Sequence, residues 1–282
     1  MLSYRHAFHA GNHADVLKHS VLVAILDYYL KKDKPFWYVD THSGAGMYKL
    51  DSKFAAKNAE FKTGISKLYH KDGLPQFLEM FIAQVKAANT GKRSLTYYPG
   101  SPWFAAKMLR PSDKLRLHEL HPTDSQLLQD NMKSMVRKRA HVDKSDGFSG
   151  LKAIMPPPTK RSVVLIDPPF EDKSDYKTVV NTLKESVKRF SSGTFAIWYP
   201  QLSSKESKDL PEKLKRTDAK SWLHVTLSIK GEPKGKGMYG SGMFVVNPPY
   251  LLVQQLEEAL PVMKAMLCDP LSGSVSLEHK GI

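Results

Sequence analysis

Ser162-Val163-Val164-Leu165-Ile166-Asp167-Pro168-Pro169-Phe170 sets the fold class of this 282-residue chain. An apolar, β-branched run of this length, closed by two prolines, reads as a buried strand of a parallel sheet. Ligands of such sheets bind just beyond the carboxyl ends of the strands, so Asp167 is expected at the active-site edge. Each proline fixes its own φ and forces the residue before it to be extended. The stretch after Asp167 therefore reads as a rigid arm with outward carbonyls and Phe170 at its tip. A carboxylate acceptor, a stiff arm and an aromatic plate suit a grip on the amino group of a flat heterocycle. An ordinary strand-ending turn is the plainer reading of the same four residues.

Outward from this strand the chain alternates between short apolar runs and amphipathic stretches. Val16, Leu17, Val21, Ala24, Ile25 and Tyr28 recur at helical spacing over residues 15–31, and Pro35 ends that helix. Residues 36–40, aromatic and β-branched, predict a strand. Further strands are expected at 115–120, 141–143, 163–167, 194–199, 223–229 and 243–247, with helices at 122–135, 176–190 and 204–215. That is the pattern of an α/β, doubly wound, Rossmann-like fold with a seven-stranded, mostly parallel sheet. The last two strands, joined by the Gly-rich stretch 231–242, read as an antiparallel hairpin at one edge. Residues 48–96 exceed what one crossover helix needs. They predict an inserted small helical subdomain between a first segment, 1–47, and the remainder of the domain, 97–282. Its lysines at 53, 57, 62, 67 and 71 are either a substrate grip or a solvated basic face.

Lys and Arg number 42 against 28 Asp and Glu, a formal charge of +14. Such an excess asks for an anionic partner, most often nucleic acid, because each neutralised phosphate releases condensed counterions. No run approaches the length of a membrane span, and residues 1–19 are too polar for a secretory signal. A single cysteine, Cys268, excludes an intramolecular disulfide and a cysteine-cluster metal site, in keeping with a reducing compartment. A cytoplasmic enzyme, without membrane attachment, is expected.

Three further signals precede Asp167. Asp40-x-x-x-Gly44-x-Gly46 follows the first strand, where glycines let backbone approach a ligand lying across the strand end. Lys49 breaks the G-x-G-x-x-G of dinucleotide sites, which favours a cofactor without pyrophosphate, such as S-adenosylmethionine. Glu119 ends the next strand and suits both hydroxyls of a ribose, although a surface glutamate is its plain reading. Asp146-Gly147-Phe148 offers an acceptor for an adenine amino group beside an aromatic ring, or a simple Asp-Gly turn. Gly-rich loop, ribose acid, adenine acid and Asp-Pro-Pro-Phe arrive in the order in which a Rossmann-like methyltransferase lays out its cofactor and catalytic loops. Asn247-Pro248-Pro249-Tyr250 repeats the form of the catalytic loop and, as Asn-Pro-Pro-Tyr, marks glutamine-directed protein methyltransferases and some nucleic-acid ones. Its place after the last strand assigns it a structural role. The crowded His6, His9, His13 and His19 have no cysteine nearby and are read as contacts to cofactor, phosphate or backbone, with no metal expected.

These motifs, with the opening stretch Met1 to His19, Asp40-Thr41-His42-Ser43-Gly44-Ala45-Gly46, Tyr97-Tyr98-Pro99-Gly100-Ser101-Pro102 and Glu119-Leu120-His121-Pro122, resemble the RlmJ family. Its members are bacterial adenine-N6 methyltransferases acting on large-subunit (23S) ribosomal RNA. The resemblance runs from Met1 to about Pro249. It implies S-adenosylmethionine held by His19, His42, Gly44, Ser101, Glu119, Asp146, Gly147 and Asp167. It implies catalysis by Asp167 with the Pro168 carbonyl, and Phe170 stacked on the base. Tyr4, Arg5, His6 and Lys18 are expected to meet the RNA, and the enzyme is expected to be a monomer. Phe170 departs from the family, which more often has Tyr there. A DNA adenine methyltransferase, a non-catalytic RNA-binding protein with this fold and a protein-glutamine methyltransferase are the competing readings.

Overall fold

The computed structural model describes residues 5–52, 55, 58–136, 139–235 and 237–282. Tyr4, Lys53 and Lys57 lie outside them. In chain order the elements are α1 (His13–Leu30), β1 (Trp37–Asp40), β2 (Met47–Lys49), α2 (Ser66–Tyr69), α3 (Gln76–Ala88), β3 (Tyr97–Pro99), α4 (Ser101–Met108), β4 (Lys114–His118), α5 (Pro122–Val136) and β5 (Ala140–Asp143). They continue with α6 (Gly147–Ile154), β6 (Ser162–Ile166), α7 (Ser174–Arg189), β7 (Thr194–Gln201), α8 (Lys205–Lys215), β8 (Trp222–Ser228), β9 (Gly240–Val246), α9 (Leu252–Leu267) and β10 (Ser274–Lys280).

The main sheet has the order β10-β8-β9-β7-β6-β1-β4-β5. β5, β4, β1, β6 and β7 are mutually parallel, so their carboxyl ends form one edge of the sheet. β9 lies antiparallel between β7 and β8. The sheet thus has eight strands where the sequence predicted seven, and the β8-β9 hairpin is not an edge. β10 covers β8 in antiparallel register, Ser274 opposite Ser228 through Lys280 opposite Trp222. It is an outer strand whose alternation is short: Val275 and Leu277 pack partly buried against the core, and the residues on either side of them are exposed.

β6 is buried at every position, which is why its sequence reads as a continuous apolar run. α1 is apolar on nearly all faces for a related reason. The sheet, α3, α4 and α9 surround it, and Val16, Leu17, Val21, Leu22, Ile25 and Leu26 are fully or almost fully buried. Asn12 starts α1 by accepting from the amides of Ala14 (2.9 Å) and Asp15 (3.0 Å).

The segment between β1 and β4 carries a two-stranded ribbon, β2 with β3, whose ends bracket residues 50–96. Ile65, Leu68, Phe77, Leu78, Phe81 and Val85 from this segment belong to the same apolar cluster as α1 and α9. The helices of the insert are thus built into the core beside α1.

Candidate active site

One cavity of about 1150 Å³ opens at the carboxyl edge of the parallel strands. Its wall carries His19, His42, Gly44, Ser101, Glu119, Asp146, Gly147, Asp167 and Pro168 together. Residues from four different strand ends therefore meet in one space, which no single motif required. No described residue of 50–96 lines it.

The first strand end is the most tightly built. Asp40 is fully buried, and its Oδ2 accepts from the hydroxyls of Ser101 (2.6 Å) and Tyr38 (2.7 Å). Burial pushes its carboxyl up to about 6 against those two hydrogen bonds. Gly44, at φ +61°, turns the loop so that its amide donates to Glu119 Oε2 at 2.7 Å. A Cβ there would lie 2.2 Å from the Tyr48 hydroxyl. Glu119 Oε1 takes the His121 amide at 2.7 Å. Each oxygen of Glu119 is thus oriented by a backbone donor and keeps further acceptor capacity. Burial raises its carboxyl above the ordinary value, opposed by those two amides.

Asp146 is the N-cap of α6. It accepts from the amides of Phe148 (3.3 Å) and Ser149 (3.0 Å) and from the Ser149 hydroxyl (2.6 Å). These donors outweigh partial burial and hold its carboxyl below the ordinary value. Gly147 has a sharper requirement, since a Cβ would stand 1.8 Å from the Thr41 carbonyl oxygen. His42, beside Phe148 at 4.9 Å between ring centres, is lowered by burial to about 4 and is neutral at pH 7. His19 is buried, pairs with the Tyr98 hydroxyl at 2.8 Å and is likewise held well below the usual imidazole range by burial.

At the end of β6, Asp167 Oδ2 lies 2.6 Å from Lys18 Nζ. Lys18 also reaches Asp15 Oδ1 at 3.1 Å, and Asp15 Oδ2 accepts from the Gly11 amide (2.8 Å) and pairs with His6 Nε2 (2.9 Å). Burial opposes the charge of Asp15, but His6, Lys18 and His19 together hold its carboxyl well below the ordinary range. For Asp167 the balance falls the other way: burial raises the carboxyl, and Lys18 only partly offsets it.

Several expectations are corrected by this geometry. Lys18, 5% exposed, faces two carboxylates inside the protein rather than phosphates outside it. His6, on the cavity wall, pairs with Asp15, and Arg5 reaches Asp124 at 3.0 Å, pairings that leave their expected contact with RNA open. Phe170 is not an exposed plate. Its φ of +53° turns the ring into the core, 7% exposed, against Tyr176 (4.7 Å) and Trp198 (6.1 Å). Tyr48, Phe148 and Trp198 are the aromatic residues on the cavity wall, and Trp198, from the carboxyl half of β7, is the one beside Asp167's partner Lys18. Its indole nitrogen is buried without a hydrogen-bond partner, and Lys18 Nζ lies 5.6 Å from its ring centre. Sequence reasoning passed over Trp198 and Asp15. The strand-end rule that found Asp167 points equally to the neighbouring strand carrying Trp198, whereas nothing local marked Asp15 as the hub of a charge network.

Asn247 stands at the opposite edge of the sheet. It follows β9, which runs against its neighbours, and its side-chain amide donates to the carbonyls of Ser191 (2.8 Å) and Gly193 (2.7 Å). Among the described residues no group of three or more His, Cys, Asp or Glu is arranged to hold a metal ion, and no helix is long and apolar enough to cross a membrane.

Comparison with known proteins shows the family. A family model described as "Ribosomal RNA large subunit methyltransferase D, RlmJ" matches residues 33–280. Ribosomal RNA large subunit methyltransferase J of Escherichia coli K12 is 45% identical over 267 residues, covering 95% of this chain and 94% of that protein. The protein of the same name from Haemophilus influenzae is 43% identical over 278 residues, covering 99% and 98%. A crystal structure of a Legionella pneumophila protein, 36% identical, superposes with a TM-score of 0.87 over 96% of this chain and 98% of that one. A model spanning almost the whole chain and two full-length relatives above 40% identity leave one assignment: the chain belongs to the RlmJ family of ribosomal RNA large subunit methyltransferases.

Proposed function

We propose that this cavity is where S-adenosylmethionine and an unpaired adenine of 23S ribosomal RNA meet, and that the chain methylates the N6 amino group of that adenine. The observation that carries the reading is continuity: Glu119, Asp146 and Asp167 border one cavity. The wall suits the cofactor by the chemistry of its donors and acceptors. Glu119, with both oxygens pre-oriented, would take the ribose hydroxyls. Asp146 and the bare Gly147 backbone would frame the adenine, with Phe148 beside it. Gly44, Ser101, His19 and His42 would border the remainder, and the neutrality of both imidazoles avoids placing added positive charge beside a sulfonium.

S-adenosylmethionine supplies an electrophilic methyl group when bound. The protein's task is to make the amino nitrogen a better nucleophile, because its lone pair is delocalised into the purine. Two acceptors serve this purpose. Asp167 Oδ1, which accepts no hydrogen bond among the described residues, and the Pro168 carbonyl would take the two N–H bonds and localise the lone pair. Lys18 holds Oδ2, fixes the carboxylate's orientation and favours its charged form. Asp15 and His6 hold Lys18 in turn. Asp167 can accept the departing proton after transfer, since the nitrogen becomes acidic only as the new bond forms. The base must be unpaired or extruded to reach this depth, and Trp198 offers the aromatic wall against which it would lie.

Mapping N6-methyladenine in 23S ribosomal RNA from cells with and without the protein tests the assignment. One adenine losing its methyl group in the deletion strain, and regaining it on complementation, is the expected result. Unchanged RNA methylation, with transfer to duplex DNA in vitro, would replace this reading with the DNA one.

A further inference from the structure

We propose that one flank of α7 is a track for RNA phosphates that leads away from the mouth of the cavity. The inference rests on the RNA reading above and adds a path for the strand. Lys173, just before α7, lines the cavity, and Lys177, Lys184 and Lys188 follow it at intervals of four, seven and four residues. At 3.6 residues per turn these four side chains fall within an arc of about 60°. With a rise of 1.5 Å per residue, they span about 22 Å along the helix. All four are exposed.

Two observations separate this flank from an ordinary solvated face. Lys177, Lys184 and Lys188 make no ion pair among the described residues, whereas Lys152, Lys205's neighbour Glu206 and Glu185 in the same region are engaged: Glu185 pairs with Lys152 (3.0 Å) and Glu206 with Lys173 (3.0 Å). The i,i+4 positions also work against the free helix. Lys173 with Lys177, and Lys184 with Lys188, stack like charges that destabilise a helix without an external anion. The adjoining face of α7 buries Tyr176, Val179, Leu183 and Val187, which anchors the helix and keeps the stripe on its exposed flank. Three unpaired cations, Lys177, Lys184 and Lys188, continuing from the Glu206-paired Lys173 at the active-site mouth, match the backbone of a single strand entering that site.

The test uses the full chain and 23S ribosomal RNA transcribed in vitro. Lys177→Ala, Lys184→Ala and Lys188→Ala are combined, and methyl transfer is followed as a function of RNA concentration at several salt concentrations. The expected KM for RNA rises at least about tenfold near physiological salt, with a much smaller change in kcat. The slope of log Kd against log salt becomes shallower by about two to three, roughly one per lost contact. Arginine at all three positions restores KM. Unchanged KM and salt slope overturn the proposal, as does a larger slope loss from Lys62→Ala, Lys67→Ala and Lys71→Ala in the insert. Wild-type protein that fails to methylate the RNA at all would instead remove the functional reading, so the two failures are distinguishable.

Discussion

Asp167-Pro168-Pro169-Phe170 and Asn247-Pro248-Pro249-Tyr250 have the same form, each follows a strand, and each contains one non-glycine residue with positive φ, Phe170 at +53° and Asn247 at +50°. They nevertheless lie at opposite edges of the same sheet. β6 runs parallel to β1 and β7, so its end joins the edge where the cavity opens. β9 runs antiparallel to β7, and its end returns to the far edge beside Thr194. There Asn247 ties loops together: its amide reaches the Ser191 and Gly193 carbonyls, its own carbonyl accepts from the Thr194 hydroxyl, and its backbone amide donates to Ser221. Tyr250 is 65% exposed against Tyr28, not beside a cavity. Strand direction, which a tetrapeptide does not encode, separates the catalytic loop from the structural one.

The contrast can be broken at several points. Removing the cation behind Asp167 should have a very large effect. Lys18→Met leaves Asp15 and Asp167 buried without their shared partner, a loss of about 3–5 kcal/mol for a broken buried pair. Methyl transfer by the folded fraction should fall by about 100-fold or more. Denaturant melts and single-turnover rates on the same samples check both effects, and near-normal rates would show that Lys18 does not orient Asp167. Trp198→Ala tests which aromatic meets the base. It should cost about 1–3 kcal/mol of RNA affinity, the worth of one base stack, while calorimetry shows S-adenosylmethionine binding intact.

Acid should expose the same carboxylate. Because burial raises Asp167, and only the ionised form accepts both an amino N–H and the Lys18 ammonium, kcat should fall tenfold per pH unit below a pKa lying above the ordinary carboxylate value of about 3.9. A pH profile of the single-turnover rate checks this, and Lys18→Met should move that limb to higher pH. The smallest effect on turnover belongs to the far edge. Asn247→Ala should lower stability by roughly 2–3 kcal/mol through two lost hydrogen bonds and a strained φ, yet leave kcat within about twofold. Asn247→Gly should recover part of that stability, because glycine accepts the left-handed conformation.

Much of this layout was legible because strand ends in a parallel sheet announce themselves. The buried run of β6, the turn glycines after β1 and the acids after β4 and β5 each stand where an apolar segment stops. What stayed hidden depends on contacts between distant residues. Lys18 reads as a surface cation until α1 is seen packed beneath the β6 end, 149 positions away in sequence. Phe170 reads as a plate until its φ turns the ring into the core. β10 stayed unread because its apolar alternation is only two residues long, Val275 and Leu277, too short to mark a strand by itself. The insert read as a small helical subdomain, yet its apolar face continues the α1 cluster, a packing choice that helical periodicity alone does not reveal.

The central claim is that Asp167, not Asn247, performs the acceptor chemistry, and one paired measurement tests it. Asp167→Ala and Asn247→Ala are compared with the wild type for S-adenosylmethionine binding by calorimetry and for single-turnover methyl transfer to 23S ribosomal RNA. The account predicts cofactor binding in both variants, transfer abolished by the first and retained by the second. Full activity in Asp167→Ala, or its loss in a folded, cofactor-binding Asn247→Ala, would contradict it.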